Sequence, residues 1–419
     1  MRVLHLSYFD RVGGACIAAY RQHQALLRHG VDSQMWVRGK VTSDAKVSSY
    51  EPPSDLVRRA KRVLRRQRLT REASAAGLLG EFFDDRSEYG GDEWANMPEC
   101  DVINVQFSQG FLDHPTFYRN LPEDKPVVVT LHEMSCFTGG CSYAGSCSRF
   151  HAHCGDCPQL GVRGGDDYSR QGWERRQTAY TSRKPDTLHF VADSHWIAEQ
   201  AKASGLLRNF PVCVIHYGLD TDVFQPLNKM AAREIFGISE GIPVVAFAAA
   251  AVADERKGIR HVIEALQIMA EKPFLLTWGR SFPPALESIP HLHVGNIDSE
   301  HLMAMTYNAA DLFVMPSLEE AFGQTALEAL ACGVPVVAYA AGGIPEMVRH
   351  EQTGLLAPVG DSVALAAAMG RLTGDLKASR TMGSQGRRMV LREFSMTRNA
   401  ERYLALYQSL GGKTQPTHD

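Results

Sequence analysis

Residues 310–348 read ADLFVMPSLEEAFGQTALEALACGVPVVAYAAGGIPEMV, and two runs within them are continuously apolar, Leu312–Pro316 and Pro335–Tyr339. Between them lies a helix-forming stretch, TALEALACG. A strand that is apolar at every position is buried on both faces, the condition of a parallel sheet covered by helices. Outward from this unit the same alternation fills the chain. Comparable runs stand at Val3–Tyr8, Val102–Phe107, Val127–His132, Phe190–Ser194, Val212–Tyr217, Val244–Ala249, Phe274–Trp278 and His291–Val294. The alternation predicts an α/β protein of doubly wound parallel sheets. At 419 residues the chain is too long for one ordinary core, so two such domains are expected. The boundary is read where IHYGLDTDVFQP (215–226) turns from strand into a Gly/Asp/Pro-containing link. That gives an N-terminal domain over 1–217, a C-terminal domain over 218–395, and a last helix and tail over 396–419 packing back on the first domain.

Composition is that of a soluble globular protein, with 44% apolar and 22% charged residues. A net charge of −3 points to no particular partner, so local charge has to carry that question. The N-terminus MRVLHLSYFD reads as a buried strand, with no apolar h-region or cleavage site of a signal peptide. The richest apolar window, Pro243–Val252, is ten residues long and suits a strand, not a membrane span of about 18. A cytoplasmic protein is expected, with peripheral attachment to the inner face of the membrane left open. Disorder is expected only in the tail Gly411–Asp419.

Two acids frame the loop after the strand DLFVMPS. Glu320 falls on the loop at the strand's carboxyl end, and Glu328 falls about one turn into the following helix. Doubly wound sheets bind ligands at this edge, and the helix N-terminus between the acids offers backbone amides to a phosphate. By themselves the pair read more simply as a solvated helical acid and a first-turn dipole partner. Arg256 and Lys257 precede Gly258 at the start of another helix and bring two cations to the same kind of edge. Gly13 and Gly14 lie between the first strand and a helix, where absent side chains let backbone approach a ligand, although an ordinary turn explains them as well. His132 ends the strand PVVVTLH, where a structural hydrogen bond is the ordinary role of a histidine.

In this context the chain resembles the retaining family-4 glycosyltransferases of GT-B fold, two Rossmann-like parallel-sheet domains facing across a cleft. The resemblance rests on residues 310–348, on DERKG at 254–258, VIHYGLDTDVFQP at 214–226, TLHE at 130–133 and FDRVGGACIAAYRQHQALLRHG at 9–30. It covers nearly the whole chain in the same order. By this resemblance Glu320 looks like the first acid of the family's E-x7-E motif, near the transferred sugar, and Glu328 like the second, holding the donor ribose. Backbone around Gly323, Gln324 and Thr325 would meet the sugar and the diphosphate. Arg256 and Lys257 look like the pair that neutralises the pyrophosphate as the leaving group gains charge. Gly13 and Gly14 look like the donor-facing loop of the first domain, and His132 like a contact of the transferred sugar or reacting centre. Two positions depart from the pattern: Ala250-Ala251 replaces a Gly-Arg, removing one phosphate cation, and Tyr217 replaces an Asn in the linker.

The resemblance implies transfer of a hexosyl group from a nucleotide-diphosphate sugar to a hydroxyl, with retention by same-face substitution. In that picture the donor phosphate helps to deprotonate the incoming hydroxyl. Similarity to enzymes of exopolysaccharide, colanic-acid and O-antigen assembly suggests a lipid-linked or oligosaccharide acceptor in surface polysaccharide synthesis. Tailoring of a small molecule or glycolipid, and a GT-B nucleotide-sugar epimerase, are the alternatives within the fold.

Two insertions break the β–α alternation. Five of the nine cysteines fall within 22 residues as Cys136-x4-Cys141-x5-Cys147-x6-Cys154-x2-Cys157. Cys-x2-Cys is a metal-knuckle spacing, and four thiolates close a tetrahedral Zn²⁺ shell. A similar stretch in a polysaccharide-building subset of the family matches Cys141, Cys147, Cys154 and Cys157, leaving Cys136 as extra. Four thiolates leave no open position, so the expectation is a structural zinc and no catalytic metal. An iron–sulfur cluster, or cysteines that are reduced or disulfide-bonded, are the alternatives. The second insertion, LVRRAKRVLRRQRLTRE over Leu56–Glu72, carries eight Lys/Arg beside apolar Leu56, Ala60, Val63 and Leu64. It reads as a solvated helix face or as a helix lying on anionic lipid. A zinc-knuckle nucleic-acid-binding protein is the rival from another class. No aromatic interleaving supports it, and it leaves Glu320 and Glu328 unexplained, so no nucleic acid is expected.

Overall fold

A computed structural model describes residues 1–50, 56–73, 80–87, 96–161, 164–281 and 289–411. Most of the expected disordered tail lies outside them. The chain divides into two compact units, Met1–His216 with Asn399–Asp419, and Tyr217–Arg398. The last helix, Met396–Gly411, therefore returns to the first unit from Asn399 onward.

Unit 1 is built on a seven-stranded sheet. Its strands are β1 (Arg2–Phe9), β2 (Asp32–Gly39), β3 (Val47–Ser49), β4 (Val102–Val105), β5 (Val127–Leu131), β6 (Leu188–Ala192) and β7 (Val212–Val214), in the order β3-β2-β1-β4-β5-β6-β7. Unit 2 has six strands, β8 (Val244–Ala251), β9 (Phe274–Arg280), β10 (His291–His293), β11 (Leu312–Met315), β12 (Val336–Tyr339) and β13 (Gly354–Ala357), in the order β10-β9-β8-β11-β12-β13. Every pairing is parallel. β4, β5, β11 and β12 are buried at every residue, as the apolar sequence of β11 and β12 requires, with polar Asn104 in β4 and Thr130 in β5 as exceptions.

Three strands escaped the sequence reading. β2, DSQMWVRG, has polar or glycine residues at its two ends and a buried run only at Met35–Val37, one strand in from the sheet edge. β3, VSS, carries two serines, and β13, GLLA, begins on a glycine and ends on an alanine, residues that weaken a strand signal.

Each sheet starts with an inner strand, grows to one side through the next two, and then crosses to the other side. The direction of winding reverses between β1 and β4, and between β8 and β11. At such a switch the connecting loops diverge and leave a crevice at the carboxyl ends of the strands. This positions the loops after β1 and β4 in unit 1, with the loop after β5 on the next strand, and the loops after β8 and β11 in unit 2.

The returning helix is fastened into unit 1 by aromatic burial. Tyr403 and Tyr407 are both fully buried, each contributing about 1.5–3 kcal/mol on the scale of large apolar side chains. Their hydroxyls are not wasted: Tyr403 Oη lies 3.1 Å from Thr130 Oγ1, and Tyr407 Oη accepts from Asn104 Nδ2 at 2.6 Å. Asn399 Nδ2 donates to the His216 carbonyl at 2.7 Å and anchors the start of the return.

Candidate functional site

In unit 2 the loops after β8 and β11 are locked together through backbone. Asp254 caps a single 3₁₀ turn, Glu255–Lys257, by accepting from Arg256 N at 3.0 Å. The turn ends at Gly258, φ 78°, where a Cβ would stand 2.1 Å from the Pro316 carbonyl oxygen. Only glycine tolerates both that dihedral and that approach. In return Leu318 N donates to Arg256 O at 2.8 Å, and Arg256 Nη1 donates to Glu319 O at 2.9 Å.

This bracing places two cations on one buried carboxylate. Lys257 Nζ donates to Glu320 Oε2 at 2.5 Å, Arg256 Nη1 lies 3.6 Å from the same oxygen, and Ser317 Oγ is at 3.4 Å. Glu320 is only 7% exposed. Burial pushes its carboxyl pKa up, but Lys257 and then Arg256 outweigh burial and hold it below the usual value. The Glu320 carbonyl accepts from Gly343 N at 2.9 Å, which pins the backbone of the loop from the β12 side.

Gly323, φ 104°, opens the helix Gln324–Ala331, with Gln324 and Thr325 half-exposed in its first turn. Glu328 lies in the same helix and is not a solvated acid: it is 4% exposed and accepts from Tyr307 Oη at 2.8 Å. Beside the Ala250-Ala251 departure, Arg280 at the end of β9 donates Nε–H to Ala250 O at 3.2 Å, so an exposed guanidinium stands next to those alanines. Tyr217, the second departure, is buried with its ring 5.0 Å from that of Phe322.

The remaining site candidates belong to unit 1. Gly13, φ 82°, caps the helix Gly14–Arg28. Gly13 and Gly14 are exposed, and nothing lies within 4 Å of a Cβ built on Gly13. Asp10 fastens this loop by accepting from Val41 N and Thr42 N, each at 2.9 Å. His132, partly exposed after β5, places Nε2 at 2.8 Å from Gln106 Oε1, and burial of the ring pushes its pKa down to about 3. Next to it Glu133 is buried and pushed up to about 7 by desolvation, against the opposing hydrogen bonds of Ser135.

Arg256, Lys257 and Glu320 thus form one contact, Gly323, Gln324, Thr325 and Glu328 share the helix that follows it, and Gly13, Gly14 and His132 stand on separate loops of the other unit. Tyr307, Gln106 and Glu133 were missed. The Glu in TLHE was in plain view, but a Tyr inside a helix and a Gln after a strand carry no local signal of a site.

The cysteine segment encloses a cavity of about 20 Å³ lined by Cys141, Cys147, Cys154 and Cys157 together with Gly139 and Phe150. That is room for one water or ion. Cys154 Sγ accepts from Gly139 N at 3.1 Å, and burial pushes its thiol up to about 12. Among the described residues the four sulfurs are not gathered within 4.8 Å of one another. Cys136 stands apart, its carbonyl accepting from Tyr180 Oη at 2.8 Å and its sulfur lying 3.7 Å from Gln109 Nε2. The basic helix spans Leu56–Ala73 and packs Leu69 on the buried group of Phe82, Cys141 and Cys157. Leu56, Val57, Val63 and Leu64 are 84%, 62%, 47% and 64% exposed.

Two doubly wound parallel sheets, each with its charged or polar loops at the carboxyl edge, define the GT-B class of glycosyltransferase folds. Solved structures match it over essentially the whole chain. Sucrose-phosphate synthase from Thermosynechococcus elongatus superposes with a TM-score of 0.68 at 20% identity, covering 99% of this chain and 100% of that one. An Anabaena protein solved with UDP-glucose gives 0.65 at 16% identity, covering 98% and 100%. At these identities the likeness is one of fold. Residues 242–375 match the family model described as "Glycosyl transferases group 1". D-inositol 3-phosphate glycosyltransferase of Mycobacteroides abscessus is 36% identical over 172 residues, 38% of this chain and 38% of that protein. N-acetyl-alpha-D-glucosaminyl L-malate synthase of Bacillus anthracis is 27% identical over 210 residues, 48% of this chain and 54% of that protein. The chain thus spans about half the length or less of these two curated relatives.

Replacing Lys257 by Met strands Glu320 on Arg256 alone. The expected loss is about 1–3 kcal/mol of stability at pH 7. The depressed carboxyl contributes stability above its unfolded pKa, which is lost as pH falls through the folded one. The penalty of the variant is therefore largest at pH 7 and shrinks as pH falls through the carboxylate range to about pH 4, where Glu320 takes a proton, and Glu320→Gln in the same chain relieves it. Thermal melts of the single and double variants at both pH values measure this; an equal penalty at both contradicts the pairing.

Proposed function

We propose that the chain is a retaining glycosyltransferase that moves a hexosyl group from a nucleotide-diphosphate sugar to a hydroxyl of a lipid-linked or oligosaccharide acceptor. The observation that carries this reading is the buried Glu320 held between Lys257 and Arg256 beside the Gly323 helix start. The group 1 match over 242–375 and the UDP-glucose complex of the Anabaena neighbour support a nucleotide-sugar donor.

In this reading unit 2 takes the donor and unit 1 the acceptor. The diphosphate meets the amides of Gly323, Gln324 and Thr325 and the positive groups of Arg256 and Lys257. These cations are already held in place, so they stabilise the leaving phosphate without reorganising at the moment of reaction. Glu320 accepts from hydroxyls of the transferred sugar and Glu328 from the ribose, which fixes the anomeric carbon for attack. Gly13 and Gly14 let backbone approach the donor, and His132 contacts the transferred sugar. The departing phosphate oxygen takes the proton of the attacking hydroxyl on the same face. The names of the two curated relatives favour a second reading of the acceptor, an inositol phosphate or a hydroxy acid such as malate.

A thermal-shift screen against UDP-, GDP-, ADP- and TDP-sugars tests the donor reading, since a ligand that binds only the folded state raises the melting temperature. One nucleotide sugar is expected to stabilise the chain, and Glu328→Ala is expected to fold and lose that shift. No stabilisation by any of them, or an unchanged shift in the variant, removes the assignment.

The donor set of the cysteine segment supports a structural zinc: four thiols line one small cavity and one already accepts a backbone N–H, and the sulfurs, not gathered within 4.8 Å of one another, would draw together around the ion. Cys141, Cys147, Cys154 and Cys157 would hold it, and it would supply cross-linking energy to a stretch with few large apolar residues, taking no part in transfer. Elemental analysis is expected to find about one zinc per chain and none in the Cys154→Ser, Cys157→Ser variant. Iron with visible absorbance, or no metal at all, refutes it.

Among the described residues no helix is long and apolar enough to cross a membrane. The exposed apolar residues of the basic helix support instead a peripheral site on an anionic membrane at the cytoplasmic face. Each Lys or Arg near such a surface contributes about 1 kcal/mol, screened by salt. Replacing Arg58, Arg59, Arg62 and Arg66 by Ser is expected to abolish co-sedimentation with phosphatidylserine vesicles; retention at the original level argues that the helix merely faces solvent.

A further inference from the structure

Behind His132 lies a run of polar side chains that the transfer reaction does not use. Gln106 Nε2 donates to Gln22 Oε1 at 2.8 Å and stands 3.1 Å from His5 Nδ1. Gln22 Nε2 donates to Tyr407 Oη at 3.1 Å, and the same hydroxyl takes Asn104 Nδ2 at 2.6 Å. Asn104 Oδ1 in turn accepts from Thr130 Oγ1 at 2.9 Å. His5, Asn104 and Tyr407 are fully buried, Gln106 is 1% exposed and Gln22 is 5% exposed. Groups of this kind are costly to bury singly. Joined in a network they are rigid, because turning one amide breaks the bonds of its neighbours.

The orientation of the Gln106 amide bears directly on the protonation of His132. With Gln106 Nε2 directed at Gln22 and His5, its Oε1 is the atom that faces His132 Nε2. An amide oxygen has no proton to give, so the proton of that 2.8 Å contact belongs to Nε2. A carboxylate in place of the amide would attract a second proton to the ring; a carboxamide does not.

We propose that Gln106 is the positioning residue of His132, fixing its imidazole as the neutral Nε2–H tautomer. Gln22 and Tyr407 orient Gln106, so the returning C-terminal helix contributes to the setting of a ring near the carboxyl edge of the sheet. Burial, which pushes the ring's pKa down to about 3, works in the same direction. The proposal rests on the reading of His132 as a contact of the transferred sugar.

Its test uses the full chain labelled with ¹⁵N-histidine, the ring signals of His132 being those lost in His132→Gln. The wild-type ring is expected to show the Nε2–H pattern from pH 6 to pH 8. Gln106→Leu is expected to lose that pattern, with averaged nitrogen shifts, and to lower kcat for the stabilising nucleotide sugar roughly tenfold with little change in KM. Gln106→Glu, which still accepts from Nε2 and keeps the shape, is expected to retain the tautomer and raise the ring's pKa, which shows that a change in Gln106→Leu is not mere unfolding. An Nδ1–H pattern in the wild type, or an unchanged pattern in Gln106→Leu, overturns the proposal. Full turnover in His132→Gln together with a scrambled tautomer in Gln106→Leu upholds the positioning and refutes the sugar contact.

Discussion

A carboxylate nearly out of reach of water needs compensating charge, and much of unit 2 is arranged around supplying it to Glu320. Lys257 and Arg256 reach Glu320 because the 3₁₀ turn after β8 lies against the end of β11. That approach exists because Gly258 has no side chain to meet the Pro316 carbonyl. The loop after β12 closes the other side, where a Cβ on Gly342 would come within 1.9 Å of the Glu320 carbonyl oxygen. Three loops from three strands therefore share one geometry. Removing one cation leaves a buried charge with half its compensation, which is a larger loss than the net worth of the pair.

The pair also prepares the edge electrostatically. Arg256 and Lys257 stand beside a helix N-terminus, held by Glu320 and, for Arg256, also by Asp254 Oδ2 at 3.5 Å, which keeps the cations where an anion would need them. Glu328 reaches the same helix by another route. Its buried oxygen is satisfied by Tyr307, whose ring lies 4.8 Å from that of Trp278 at a steep angle, so an aromatic cluster fixes the hydroxyl that fixes the acid.

Unit 1 solves a different problem. Its sheet buries His5 and Asn104 in strands where the parallel fold calls for apolar residues, with Gln106 just beyond β4. Such positions call for partners: Asn104 and Gln106 have them, and His5 has one at Nδ1 but none at Nε2 among the described residues. The partners come from the helix Gly14–Arg28 and from the returning helix Met396–Gly411, which is one reason the end of the chain is needed by the domain that begins it. The cysteine segment is held by the same logic on a smaller scale, with Gly139 donating to Cys154 and Asp167 Oδ2 accepting from Cys157 N at 2.6 Å.

Continuous apolar runs such as LFVM at Leu312–Met315 and VVAY at Val336–Tyr339 determined by themselves that the chain folds as doubly wound α/β, because a strand apolar on both faces has no other soluble environment. Residue type and spacing likewise made Glu320, Arg256 and Lys257 legible, since charges at the ends of strands fall at the edge where loops gather. Local sequence was silent on β2, β3 and β13, whose pairing is supplied by neighbours distant in the chain. It could not show that Glu328 is buried under Tyr307, 21 residues away, or that His132 is met by Gln106 and, through Gln22, by Tyr407, 385 residues from Gln22. Those contacts depend on which helix covers which face, and only the tertiary structure decides that, because a hydrogen bond between distant residues is specified by packing and leaves no period in the sequence.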